Sequence, residues 1–325
     1  MLLAGDVGGT KTLLGLFERA DRRPRRIHAF SYPTTAFDSF GAMLDAFARE
    51  AGRPLRIDAA AVGVAGPVLA GHARLTNIVW DIGDDEIAAR LGTSRVRLVN
   101  DLEALANSAD VLADEEVAVL QQGVLREDGH AVVIAAGTGL GQAHLLRVGR
   151  RLRPVPSEGG HADFAPRTDR EIELLRMLRA EYGRAEVEHV LSGPGLLNLH
   201  RFTHGGRPCG EVGALTSATS PAAVSQAAMS ARCQACVESL AIFVSAYGAE
   251  AGNLALRGMA TSGVWVGGGI APKILPLLQD GRFIEAFCAK GVMAPLVAQI
   301  PVKVIVNPEA GLLGAAVFAQ ELVDA

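Results

Sequence analysis

Short apolar runs broken by glycine-rich punctuation dominate the first part of the chain. Leu2–Ala4 and Thr12–Phe17 read as two strands joined by a turn at Gly8-Gly9. Ala59–Val64 is an apolar run closed by Gly66-Pro67, and Val96–Val99 is another that stops at Asn100-Asp101. Unbroken runs of this length predict strands buried on both faces. From Leu102 the period changes, because Leu102, Leu105, Ala106 and Ala109 fall at helical intervals. Ala131–Ala136 predicts a further buried strand. It leads into Gly137-Thr138-Gly139-Leu140-Gly141 and a strand over Gln142–Val148.

The second half is more helical. Arg170–Glu181 places Ile172, Leu175 and Leu178 on one face, and Pro221–Leu256 holds one long Ala-rich helix or two. Val264–Val266 predicts a strand running into Gly267-Gly268-Gly269, and Val302–Val306 another before a small-residue helix over Gly311–Leu322. Strands interleaved with helices indicate an α/β fold. One pattern occurs twice: the strand, Gly-rich turn and strand around Ala4–Thr10 resembles that around Ala135–Gly141. A duplicated domain explains the echo and predicts two turns facing each other across a cleft.

A length of 325 residues suggests about two domains. The formal charge of −4 lacks the basic footprint of a nucleic-acid binder. The local cluster Arg22, Arg23, Arg25 and Arg26 reads as a solvated hairpin or loop. Neither a signal-peptide h-region nor a membrane-length apolar stretch is legible, so no membrane partner is expected. Four cysteines, at 209, 233, 236 and 288, fit a reducing cytoplasm. Cys233-x-x-Cys236 shows no partner His or Cys at ligand spacing and reads as a buried helical pair.

Gly5-Asp6-Val7-Gly8-Gly9-Thr10 has the chemistry of a phosphate turn. Glycines let backbone N–H groups approach phosphate oxygens, Thr10 adds a hydroxyl, and the Asp6 carboxylate can hold Mg²⁺ directly or through water. A plain hairpin with a capping Asp is the competing reading. It is not a P-loop, because Thr10 separates Gly9 from Lys11 and a strand follows. Gly137, Gly139 and Gly141 open a strand at G-x-G-x-G spacing, which is not the dinucleotide fingerprint. Gly267-Gly268-Gly269 suits either a nucleoside approaching the backbone or a tight packing turn. Asn100-Asp101 closes a buried strand, where α/β folds gather ligands, though an N-cap reading competes. Glu158-Gly159-Gly160-His161 reads as a turn with two polar side chains, and Glu188 precedes Leu191-Ser192-Gly193-Pro194-Gly195.

Taken in order, these stretches resemble the bacterial ATP-dependent glucokinase family. Thr76-Asn77 with Trp80, Asp163-Phe164-Ala165-Pro166, Gly252–Leu256, Gly267–Ile270 and Gly311–Gly314 extend the match from end to end. The resemblance implies an α/β, two-domain actin-like ATPase fold, a ribonuclease H-like unit duplicated with a cleft between domains. It implies a small domain of about 1–107 plus 302–325 and a large one of about 108–301. Asp101 matches the general base facing the sugar 6-hydroxyl. Asn100, Glu158, His161 and Glu188 match the groups on the other hydroxyls, with Gly139 near the sugar. Gly5, Asp6, Val7, Gly8, Gly9 and Thr10 match one ATP phosphate turn, and Gly137 and Thr138 belong to the second. Gly268 is assigned to the nucleotide. Glucose, ATP and Mg²⁺ are thus implied, with a cytoplasmic homodimer.

A related repressor and kinase family carries a zinc-binding cysteine run shortly after the Glu-Gly-Gly-His segment. Here no cysteine occurs before Cys209, so no structural zinc is expected and His161 is free for sugar. Three rival readings remain. A kinase for mannose, fructose or an amino sugar would use the same residue types. A non-catalytic sugar sensor would need a DNA-binding module before Gly5, for which the chain leaves no room. An actin-like structural ATPase would have no use for Glu158 and His161.

Overall fold

The computed structural model describes residues 1–51, 56–75, 80–216 and 218–324. Thr76 and Asn77, two of the family-matching residues, lie outside them. The chain forms two compact units: residues 1–113, 151–154 and 307–325, and residues 114–150 with 155–306.

The first unit carries β1 (Leu2–Val7), β2 (Lys11–Glu18), β3 (Arg25–Pro33), β4 (Ala59–Val64), β5 (Val68–Leu69), β6 (His72–Arg74), β7 (Asp81–Gly83) and β8 (Val96–Asn100). Its main sheet has the order β3-β2-β1-β4-β8. β1 runs antiparallel to β2 and parallel to β4, and β4 runs parallel to β8. Alternate side chains explain why both faces are buried. Leu3, Val7, Val62 and Val64 pack with Phe40, Met43 and Phe47 of α1 (Phe40–Glu50), near α2 (Asp84–Leu91). Leu2, Ala4, Ala59 and Ala61 pack with Leu312, Ala315, Ala316 and Phe318 of the C-terminal helix Ala310–Asp324. That helix also crosses α3 (Asp101–Asn107), with Gly314 seated on the Ala104 carbonyl where any Cβ would collide.

The second unit carries β9 (Val117–Gln121), β10 (Ala131–Ala136), β11 (Leu140–Val148), β12 (Arg151–Ser157, of which 155–157 lie in this unit), β13 (Gly263–Gly267) and β14 (Val302–Ile305). The order is β12-β11-β10-β13-β14-β9. β10 is antiparallel to β11 and parallel to β13, as β1 is to β2 and β4. The repeated strand–turn–strand pattern thus opens the same five-strand order twice, with β9 added as an antiparallel edge. The strand at 302–305, which the sequence reading grouped with the small domain, pairs with β13 and belongs to this second unit.

The helices here are α4 (Asp169–Tyr182), α5 (Gly193–Thr203), α6 (Pro221–Met229) and α7 (Gln234–Gly258), followed by shorter ones. The Ala-rich stretch splits into α6 and α7, with Ala231 in the left-handed region at φ +53° between them. No single helix among the described residues is long and apolar enough to cross a membrane, and α6 and α7 meet at a 106° bend.

Candidate functional site

In the first unit the carboxyl edge of the parallel strands gathers the acidic groups. Asp6 stands opposite Gly63 on β4, and Gly63 stands opposite Val99 on β8. Asp101 follows one residue beyond the end of β8. Gly63 and Gly311 keep the space open: a Cβ on Gly311 would lie 2.7 Å from Asp6 Oδ2, and one on Gly63 2.9 Å from Ala104 Cβ. Burial pushes the Asp6 carboxyl up to about 6, and the charge of Asp101 adds to that while Lys11 opposes it. Asp101 opens to solvent, yet the protein packed around its base also raises its pKa, against hydrogen bonds from the Leu102 amide and the Asn100 side chain.

Asn100 does what its N-cap reading predicts. Its Oδ1 accepts from the Leu102 N–H at 2.9 Å, and its Nδ2 donates to the Gly66 carbonyl at 3.0 Å. The same contacts fix the backbone that carries Asp101.

The turn Gly8–Lys11 is closed by the Gly8 N–H donating to the Lys11 carbonyl at 3.1 Å. Sequence reasoning missed its anchor, Thr34. The fully buried Thr34 hydroxyl donates to the Gly8 carbonyl at 2.9 Å and meets Thr12 Oγ1 at 2.9 Å. Its N–H donates to the Thr10 carbonyl at 2.9 Å. Two sequence assignments change character. Val7 points into the core, and its carbonyl accepts from the Ala65 N–H. Gly5 is a packing glycine, since a Cβ there would stand 2.9 Å from Val62 Cγ1. Asp6, Gly8, Gly9 and Thr10 keep partial or full exposure.

In the second unit the turn after β10 is held by a carboxylate. Glu188 Oε2 accepts from the Leu140 N–H at 2.7 Å, and a Cβ on Gly139 would lie 2.6 Å from the same oxygen. The Gly193 N–H, at the start of α5, donates to the Gly137 carbonyl at 2.8 Å. Ser192 caps that helix by accepting from the Gly195 N–H at 2.9 Å. The turn therefore lies against a helix N-terminus, the end that attracts anions. Thr138 is exposed beside it.

Glu158-Gly159-Gly160-His161 forms a single 3-10 turn, as the paired glycines indicate. A Cβ on Gly160 would collide with the Leu140 carbonyl, and one on Gly159 with Gln142 Oε1, so the turn lies flat on β11. Hydrogen bonds from Phe164 N–H to the Ala185 carbonyl and from Val187 N–H to the Ala162 carbonyl then bring His161 beside a second carboxylate. That residue, Glu186, was not anticipated; only pairing between segments 25 residues apart reveals it. His161 Nδ1 lies 2.8 Å from Glu186 Oε2. The Glu186 hydrogen bond raises the His161 pKa, helped by the charges of Glu188, Glu186 and Glu158, and His161 lowers that of Glu186. Glu158, His161 and Glu188 are thus electrostatically joined.

Gly268 adopts φ +82° where a Cβ would strike the Ala136 carbonyl, so its packing reading holds. Beneath it lies another residue the sequence did not flag. The fully buried Tyr247 hydroxyl has the Ile134 and Gly267 carbonyls each at 3.2 Å as acceptors for its one proton, and it accepts from the Ala136 N–H at 3.1 Å. It ties the ends of β10 and β13 together just before the Gly137 turn.

The view of Cys233 and Cys236 as a pair without partners is overturned. The fold brings Cys209 and His204 from a separate segment against them.

The family profile described as Glucokinase matches residues 3–322. A glucokinase of Trichormus variabilis is 37% identical over 99% of both chains. Among solved structures, a glucokinase from an Antarctic psychrotroph superposes with a TM-score of 0.86 at 29% identity, covering 98% of each chain. A ROK family glucokinase from Streptomyces griseus, solved with glucose and AMPPNP, matches at a TM-score of 0.63 and 21% identity over 98% of this chain and 99% of that one. At that identity it speaks for the fold alone, an α/β actin-like ATPase sugar-kinase architecture.

Proposed function

This chain belongs to the glucokinase family, and from that premise we propose that it transfers the γ-phosphoryl group of ATP to the 6-hydroxyl of glucose, releasing glucose 6-phosphate and ADP. The observation that carries the reading is the carboxylate pair Asp6 and Asp101 at the carboxyl edge of β1 and β8, each with a raised pKa.

In this reading Asp101 is the general base. A primary alcohol must shed its proton as it attacks phosphorus. A carboxylate with a raised proton affinity accepts that proton more readily than an ordinary one. As the sugar O6–P bond forms, the bond from phosphorus to the β–γ bridging oxygen breaks, and the hydroxyl proton passes to Asp101 Oδ. Transfer of this kind is mostly positioning and electrostatics. The Gly8–Lys11 turn with Thr10, and the Gly137–Gly141 turn with Thr138, offer amides and hydroxyls to phosphate oxygens. Gly268 allows close approach of the nucleoside, and Gly5 and Val7 act by shaping the first turn. Glu158, His161, Glu188 and Asn100 bind sugar hydroxyls, with Gly139 leaving room for them. With Glu186 holding His161 Nδ1, Nε2 is the nitrogen left for a hydroxyl. Such a polar set disfavours a sugar lacking the matching hydroxyl.

A buried carboxylate with a second one acting on it fits a divalent cation. Asp6 would hold Mg²⁺ through water, and the ion would supply charge neutralisation at the phosphate oxygens.

A coupled assay of ADP release across a hexose panel, with ATP and Mg²⁺, tests the reaction; glucose is expected to give the highest kcat/KM. Asp101→Ala should bind glucose within about tenfold of wild type and lose about 10²–10⁴ in kcat. Near-normal turnover in that variant would remove Asp101 from the base role. A cytoplasmic homodimer is part of the same reading, and light scattering on the purified chain tests the dimer.

A further inference from the structure

Three of the four cysteines converge on one imidazole in the second unit, and none of these residues has a role in the site described above. Cys209 Sγ lies 3.5 Å from Cys233 Sγ and 3.8 Å from Cys236 Sγ. His204 Nε2 lies 3.3 Å from Cys233 Sγ and 3.9 Å from Cys236 Sγ. One ligand atom each from His200, His204, Cys209 and Cys236 falls within 4.8 Å of the others.

We propose that His204, Cys209, Cys233 and Cys236 form a closed, tetrahedral structural zinc site. Zn–S bonds of about 2.3 Å and Zn–N bonds of about 2.0–2.1 Å place tetrahedral sulfurs about 3.8 Å apart and sulfur and nitrogen about 3.5 Å apart. The four measured separations scatter about those values. A disulfide needs only two of these groups, and nothing in its chemistry gathers a third thiol and an imidazole.

The surroundings prepare each ligand. His204 Nδ1 lies 2.8 Å from the His200 carbonyl, so Nδ1 carries the proton and donates. That leaves the Nε2 lone pair facing the thiols, the tautomer a metal requires, fixed by the outer hydrogen bond usual for ligating histidines. His200 stacks on His204 with ring centroids 3.9 Å apart, and the buried His200 ring finds no hydrogen-bond partner of its own among the described residues. It packs flat against the His204 ring. Cys233 is the N-cap of α7 and Cys236 lies in its first turn, so one helix start presents two of the sulfurs. Cys209 opens a tight turn to Gly213, whose N–H donates to the Cys209 carbonyl at 2.6 Å. The backbone amides of Glu211 and Val212 are aimed at the Cys209 sulfur. When the dication binds, three S–H protons pass to solvent, three thiolates and the neutral imidazole bind, and the site carries a net charge of −1.

Three thiolates and one nitrogen in a tetrahedron select zinc and leave no open position for catalysis. The site ties together the C-terminal end of α5, the turn at Cys209 and the start of α7. α5 is the helix whose first residue, Gly193, holds the Gly137 turn.

The full chain, produced with added Zn²⁺ and purified under reducing conditions without chelator, should contain about one zinc per chain by elemental analysis. Cys209→Ser and Cys236→Ser should lower that content at least tenfold, and Cys288→Ser should leave it unchanged. If the serine variants fail to fold, two measurements on the wild type decide. Co²⁺ exchanged into the protein should give thiolate charge-transfer bands and intense tetrahedral d–d bands, and only Cys288 should react with a thiol reagent before denaturation. Absence of metal with three or four reactive thiols in the folded protein overturns the proposal. So does a Cys209–Cys233 disulfide in the reduced preparation, or an octahedral Co²⁺ spectrum.

Discussion

The two units build the same strand order around a glycine-rich turn, yet they hold that turn by different chemistry. In the first, the neutral hydroxyl of Thr34 binds the Gly8 carbonyl from a fully buried position. In the second, the Glu188 carboxylate binds the Leu140 amide and also acts on His161. A neutral anchor leaves the two aspartates as the acidic groups of the first edge. A charged anchor links the second turn to the cluster around His161, whose pKa it helps to raise. The duplicated backbone specifies where a turn lies, and the residues that reach it from outside the repeat specify what it can do.

Of the two anchors, the charged one should have the larger effect when broken. Glu188→Ala removes a charge-assisted hydrogen bond worth about 1.5–3 kcal/mol, or about tenfold to a hundredfold in kcat/KM for the hexose. Steady-state kinetics of the variant check it; an unchanged kcat/KM would show that the second turn stands without its carboxylate. Packing comes next. Gly160→Ala drives a Cβ into the Leu140 carbonyl, while Gly137→Ala meets no atom within 4 Å. Thermal unfolding should show the first destabilised by about 1–3 kcal/mol and the second nearly neutral. Equal losses would remove the close approach of the His161 turn to β11 as the reason for its glycines.

The neutral anchor should matter less. Thr34→Val keeps the shape but loses the hydroxyl between Gly8 and Thr12. About 1 kcal/mol of stability should go, with a rise in KM for ATP larger than that for the sugar. The smallest effect is a titration. The His161 pKa is raised in the folded protein, so the contact with Glu186 stabilises fully below the ordinary histidine pKa and is lost as pH rises through the folded value. Glu186→Gln should move the His161 ring-proton titration in NMR toward lower pH. A titration that stays put would assign the shift to Glu188 and Glu158 instead. His161 is exposed and Glu186 is only partly buried, so the change in global stability should be slight.

Much of this molecule is written locally. β4 and β10 follow from apolar runs whose bounds, Ala59–Val64 and Ala131–Ala136, need no tertiary information. The N-cap at Asn100, the turns at Gly8 and Gly137 and the echo between the two strand–turn–strand segments are equally local, because backbone sterics and burial period act over a few residues. Other features depend on partners distant in the chain. Thr34 reaches Gly8 through a β-hairpin, and Glu186 reaches His161 through pairing of two irregular segments. His204 and Cys209 meet Cys233 and Cys236 through a loop and a helix junction. None of these contacts carries a periodic signal, since each is a side chain at a single position. Residue order was therefore enough for the buried central strands and their glycine turns, whereas edge strands such as Arg25–Pro33 and the choice of which side chains share a charge or a proton belonged to the three-dimensional packing.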